Sequence, residues 1–175
     1  QNLKNTFIAA SKNRGAETIE KIWGNKLAHT VLVTDRWAAQ LNAFTKGYQM
    51  CLAHLQRNII FLQETENHPF ALQFRQLLTA IFDTRKTLVK NDKPCYEQDK
   101  EAKEIEQKLN DLLLITIHKE QYPNTLTFQT SMIKYRNFLT PCLYNLDIPP
   151  DKNASERAIR NIKVKQKISG QFKSG

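Results

Sequence analysis

The spacing of apolar positions changes near residue 51. Before it, short apolar runs alternate with brief helical patterns. Thr6 to Ser11 (TFIAAS) predicts a buried strand bounded by polar residues, and Asn13-Arg14-Gly15 breaks it. Ala16 to Trp23 places Ile19, Ile22 and Trp23 on one helical face and stops at Gly24. His29 to Thr34 (HTVLVT) is β-branched and apolar, which predicts a central strand with Asp35 at its C-terminal end. Arg36 to Phe44 predicts a second helix, and Gly47 to Cys51 a third strand. This alternation predicts an α/β arrangement with parallel pairing.

Beyond Cys51 the period is helical. Leu52 to Glu66 is amphipathic, and Pro69 to Val89 sets Phe70, Phe74, Leu77, Leu78, Ile81 and Phe82 at helical spacing. Glu97 to His118 repeats the pattern with Ile105, Leu109, Leu112 and Leu113, and Pro123 to Leu139 predicts a fourth helix. Each has one apolar stripe, so these helices need one another. Asn91 to Pro94 reads as a loop. Ile148-Pro149-Pro150 reads as an extended lead-in to a helix beginning near Asn153.

Composition narrows the class. The 175 residues suit one domain, and 41% hydrophobic with 25% charged residues excludes collagen-like and largely disordered chains. No apolar run approaches the ~18 residues of a membrane span. Three scattered cysteines do not make a disulfide scaffold, so a reducing cytoplasm is the default. The net charge of +9 is unevenly placed: residues 1–50 carry +4, residues 51–150 carry zero and residues 151–175 carry +5. Basic ends that converge would form a face for a polyanion such as DNA.

Four groups of residues are candidates for chemistry. Asp35 at a strand end stands where α/β sheets place ligands, although taken alone it reads first as a helix N-cap. Glu156 either completes a capping box with Asn153 or holds a divalent metal while Arg157, Arg160, Lys163, Lys165 and Lys167 grip phosphates. Cys51-Leu52-Ala53-His54 has the spacing of half a zinc site, but neither Cys95 nor Cys142 brings a close partner. A buried cysteine, with a histidine reaching toward the sheet end, is the better account. His29, His68 and His118 read as surface or satisfied histidines, and Trp23 and Trp37 as core. The chain has no Gly-rich phosphate loop, nucleophile elbow or H-E-x-x-H.

One ordered set of motifs ties these residues together. It runs Val31-Leu32-Val33-Thr34-Asp35-Arg36-Trp37-Ala38-Ala39, then Cys51-Leu52-Ala53-His54-Leu55-Gln56-Arg57, then Ile148-Pro149-Pro150-Asp151-Lys152-Asn153-Ala154-Ser155-Glu156-Arg157-Ala158-Ile159-Arg160. It closes on Lys165-Gln166-Lys167-Ile168-Ser169-Gly170. The set resembles the bacterial insertion-sequence transposases of the "sixty-six" family over nearly the whole chain. Its most specific part is Asn153-Ala154 with Glu156-Arg157-Ala158.

The resemblance implies a ribonuclease-H-like, retroviral-integrase-type mixed sheet, incomplete at the N-terminus and interrupted by an all-helical insertion. Residues 1–54 would be the partial sheet, 55–147 the insertion, and 148–175 the catalytic helix and basic tail. It implies an Asp, Asp, Glu triad binding two Mg²⁺, with Asp35 as the second aspartate and Glu156 as the glutamate. Arg157, Arg160, Lys163, Lys165 and Lys167 would contact DNA, and Cys51, His54 and Asn153 would support the site. The implied activity is Mg²⁺-dependent phosphodiester cleavage and strand transfer on double-stranded DNA, both transposon ends and target. Such proteins commonly work as multimers in the bacterial cytoplasm, on the nucleoid when DNA-bound. The family's first aspartate lies on the first strand of its sheet, whereas residues 1–34 contain no Asp. The resemblance therefore predicts a fragment that starts after two strands, holds two of three metal ligands and is inactive alone. The alternative is a non-catalytic DNA-binding or regulatory remnant, in which Glu156 merely caps a helix. A purely helical interaction module would leave the basic ends unexplained.

Overall fold

The structure, a computed structural model, describes residues 16–35, 41, 43–158, 160 and 164. Helix α1 (Ala16–Trp23) carries Glu17 in its first turn and Lys21 in its last, complementing the helix dipole. It ends at Gly24, whose φ of +47° favours glycine, and a 3₁₀ turn (Gly24–Leu27) follows. Strand β1 (Val31–Thr34) pairs in parallel with β2 (Gly47–Met50), Val31 opposite Gly47 and Thr34 opposite Met50.

The rest is helical. Helix α2 (Leu52–Thr65) buries Leu52, Leu55, Ile59 and Leu62 at helical spacing. Helix α3 (Pro69–Lys90) starts with Pro in its first turn, where a missing N–H costs nothing, and the N–H of Phe70 donates to His68 Nδ1 at 3.1 Å. Helices α4 (Lys100–Leu113) and α5 (Pro123–Lys134) follow, then a 3₁₀ turn (Arg136–Phe138), α6 (Pro141–Tyr144) and α7 (Asn153–Ala158). Helix α3 packs on both α2 and α4. Phe128 of α5 meets Phe74 edge-on, with centroids 5.3 Å apart, a favoured aromatic geometry.

The expected ribonuclease-H-like mixed sheet is not what the described residues form. Among the described residues there is one two-stranded, open parallel sheet beside a predominantly helical body. The physical reason lies in where the large apolar side chains go. Every fully buried large side chain described, from Met50 through Phe70, Phe74 and Leu109 to Leu143, lies at or beyond residue 50. Val31, Leu32 and Val33 are only half-buried, so β1 lacks the two-sided cover of a central parallel strand. The run Thr6 to Ser11 and most of the helix expected over 36–44 lie outside the described residues, as does Trp37. Trp23 is half-buried and stands outside the core cluster.

Gln49 fastens the sheet to the helices. Its Oε1 accepts the N–H of Cys142 at 2.9 Å, and its Nε2 donates to the carbonyls of Met50 and Leu139. These bonds satisfy a buried amide and hold the C-terminal end of β2 against the region that leads to α7.

Candidate functional site

The ends of three segments meet beside Cys51. Asp35 follows β1 directly, and the N–H of Cys51 donates to the carbonyl of Thr34 at 2.7 Å, which fixes the start of α2 next to it. The Pro149-Pro150 segment is tied to the same place, because the N–H of Leu52 donates to the carbonyl of Pro150 at 2.9 Å. The backbone N–H of Lys152 points at Cys51 Sγ, 3.4 Å away.

This convergence brings Asp35 and Glu156 to one imidazole. His54 Nε2 lies 4.0 Å from Asp35 Oδ2 and 3.6 Å from Glu156 Oε1. The two carboxylates are thus no farther apart than those distances laid end to end. His54 is held by its other nitrogen, with Nδ1 3.1 Å from Cys51 Sγ. Arg57, one turn along α2, stands 3.3 Å from His54 Nε2 and 3.9 Å from Glu156 Oε2. Lys152 Nζ donates to Asp35 Oδ2 at 2.7 Å.

The charges set the protonation of the cluster. Burial alone would raise the Asp35 carboxyl, but the hydrogen bond and charge of Lys152 outweigh it and hold the group below its usual range. Burial, then the positive charges of Lys152 and Arg57, lower His54 despite the two nearby carboxylates. The imidazole is therefore neutral at pH 7 and can accept a proton.

Glu156 does not close a capping box. The N–H of Asn153 that such a box would occupy donates to Asp151 Oδ1 at 2.8 Å, while the Glu156 side chain faces His54 and Arg57. Asn153 opens α7. Arg157 and Arg160 are exposed. Lys163, Lys165 and Lys167 lie outside the described residues. Sequence reasoning left Lys152 and Arg57 without a role. The signals were there: Lys152 stands between Asp151 and Asn153 in the motif that carries Glu156, and Arg57 follows His54 at helical spacing.

The sequence model of a family described as Transposase IS66 family matches residues 3–175. The chain belongs to that family. No curated protein and no solved structure matches it. Membership in the transposase family gives the protein a transposase-like function in the general sense and implies interaction with DNA. No described helix of this family member is long and apolar enough to cross a membrane. Among its described residues, no group of three or more His, Cys, Asp or Glu side chains is arranged to hold a metal ion.

Asp35 and Glu156 offer hard oxygen donors, the ligand type that Mg²⁺ takes. Mg²⁺ commonly takes one or two carboxylates and completes its shell with water and substrate phosphates. The residues that would hold such an ion are Asp35 and Glu156, through their carboxylate oxygens. A cation already stands on one of these oxygens: the ammonium of Lys152.

Proposed function

We propose that this chain contributes the acidic centre of a Mg²⁺-dependent DNA transposase that cleaves phosphodiester bonds and transfers the freed strand. The supporting observation is that Asp35 and Glu156, on segments remote in sequence, both face His54 Nε2. In this reading Asp35 and Glu156 hold the metal. Bound Mg²⁺ would supply Lewis-acid stabilisation of the phosphate oxygens and lower the pKa of an attacking hydroxyl or water.

The chain's own residues do the rest. His54, held by Cys51, stands between the two carboxylates. Arg57 beside Glu156, with the exposed Arg157 and Arg160, receives the DNA backbone. Lys163, Lys165 and Lys167 continue the run of basic residues in the sequence.

Replacing either acid by its amide tests the assignment. In a protein that also carries the family's first aspartate, Asp35→Asn and Glu156→Gln are expected to lower strand transfer by about 10²–10³-fold or more, on the order seen when a preorganised electrostatic group is removed. DNA affinity, measured by fluorescence anisotropy, should stay within about twofold, because phosphate contacts carry it. Equal losses of transfer and of binding would favour the DNA-binding or regulatory remnant instead.

A further inference from the structure

Lys152 has no part in the chemistry just described, yet its ammonium makes the shortest contact to either acid. It sits 2.7 Å from Asp35 Oδ2, the oxygen that also faces His54. Its backbone is pinned on both sides: the N–H points at Cys51 Sγ and the carbonyl accepts the N–H of Glu156 at 3.0 Å. The side chain is the mobile part, a compact charge on a four-carbon stem.

The charge balance gives this contact a consequence. Two carboxylates, Asp35 and Glu156, are faced by two cations, Lys152 and Arg57. The acidic pair is therefore already neutralised from within. A divalent cation on Asp35 Oδ2 would stand ~2.1 Å from that oxygen. The ammonium cannot keep its contact there, since two positive centres would crowd the same lone pairs. Either Lys152 leaves or the ion stays out. A DNA phosphate beside the site offers the displaced ammonium a new partner.

Resting on the acidic-centre reading above, we propose that Lys152 is an internal counter-ion that occupies Asp35 until DNA draws it away. Divalent metal and DNA then bind with positive coupling. Metal without DNA binds weakly because it competes with Lys152. DNA favours metal by removing the competitor, and metal favours DNA to the same degree. The device keeps the cutting centre unloaded until a substrate backbone is present.

The test uses Mn²⁺ as the probe, read by the electron paramagnetic resonance of the free ion, with and without a short duplex DNA. Without DNA, Lys152→Gln should bind Mn²⁺ about tenfold more tightly than the unaltered protein, the scale of one charge-assisted hydrogen bond removed. Lys152→Arg keeps the charge and should leave Mn²⁺ binding weak. Duplex DNA should raise Mn²⁺ affinity in the unaltered protein and raise it less in Lys152→Gln.

Equal Mn²⁺ affinity for the unaltered protein and Lys152→Gln, with both losing it on Asp35→Asn, overturns the counter-ion while the acidic-centre reading stands. Mn²⁺ affinity that is indifferent to Asp35→Asn and Glu156→Gln overturns both. A second measurement needs no variant. Acetylation of Lys152 by a small reagent, followed by peptide mass spectrometry, should accelerate several-fold when Mn²⁺ saturates the protein. An unchanged rate overturns the proposal.

Discussion

Glu66 shows how one side chain can do a job that the local sequence leaves undone. Helix α5 begins at Pro123, and Tyr122 before it supplies no side-chain cap. Glu66, 58 residues earlier at the end of α2, accepts the N–H of Asn124 at 2.8 Å. It also accepts the N–H and the hydroxyl of Thr125, at 2.8 and 2.6 Å. A carboxylate at a helix N-terminus gains from both the free N–H groups and the dipole. Burial would raise the Glu66 carboxyl, but these bonds, led by the Thr125 hydroxyl, hold it below the usual carboxylate range. A depressed folded-state pKa means that the stabilisation is complete above the unfolded value and lost as pH falls through the folded one. Glu66→Gln is expected to cost about 1 kcal/mol at neutral pH, the usual worth of a cap. It should also make stability fall less steeply in acid. Urea unfolding at pH values on either side of the carboxylate range measures both effects, and parallel pH profiles for the two proteins would refute the assignment. This cap is invisible to a reading of neighbouring residues, as are the contacts of Lys152, because their partners are distant in sequence.

Helices were legible where the period itself carries the information. Of the positions that spacing marks as apolar in α3, Phe70, Phe74, Leu77, Leu78 and Ile81 are buried and Phe82 is half-buried against the core. Leu72 on the same helix is 51% exposed. Phe74→Ala should therefore cost about 3–5 kcal/mol through lost burial and a cavity, whereas Leu72→Ala should stay within about 0.5 kcal/mol. Thermal or urea unfolding of the pair checks this, and similar losses for both would contradict the orientation of α3. Boundaries were less legible. The pattern over 123–139 predicts one helix, but it breaks after Lys134 into a 3₁₀ turn. Within that turn Arg136 reaches across to Asn110 and Glu106 of α4, each at 2.8 Å, and Thr140 donates to the same Glu106 carboxylate. The strands expected over 29–34 and 47–51 and their parallel pairing are present, but the larger mixed sheet around them was not legible. A run such as His29 to Thr34 has the right side chains for a central strand, but the cover on its faces is supplied by other segments. In β1 that cover is partial. The motif residues Asp35, Cys51 and Glu156 lie near one another around His54, although the sheet beside them is smaller than expected.

At the scale of the whole molecule, the charge distribution separates a self-neutralised body from basic ends. Lysines of the middle stretch sit among acids: Lys100 Nζ lies 3.7 Å from Glu104 one helical turn on, and Lys103 and Lys108 share α4 with Glu101, Glu104 and Glu106. Such a face presents little net field to a polyanion. After Glu156 the sequence carries Arg157, Arg160, Lys163, Lys165 and Lys167 with no acid among them, and the first two are exposed. A cation that contacts a DNA phosphate releases a condensed counter-ion, which steepens the salt dependence of binding by about 0.9 in log K per log salt. Replacing Lys163, Lys165 and Lys167 together by Ala should therefore weaken DNA binding and flatten that slope by up to about 0.9 for each lysine in contact. The matched replacement of Lys100, Lys103 and Lys108 removes the same formal charge and should leave the slope unchanged. Titrations of one duplex across a range of salt concentrations distinguish the two. If the slopes fall equally, net charge alone governs binding and the basic end is not the DNA-facing surface. If only the first slope falls, DNA is gripped next to Glu156, where a phosphate can also draw Lys152 from Asp35.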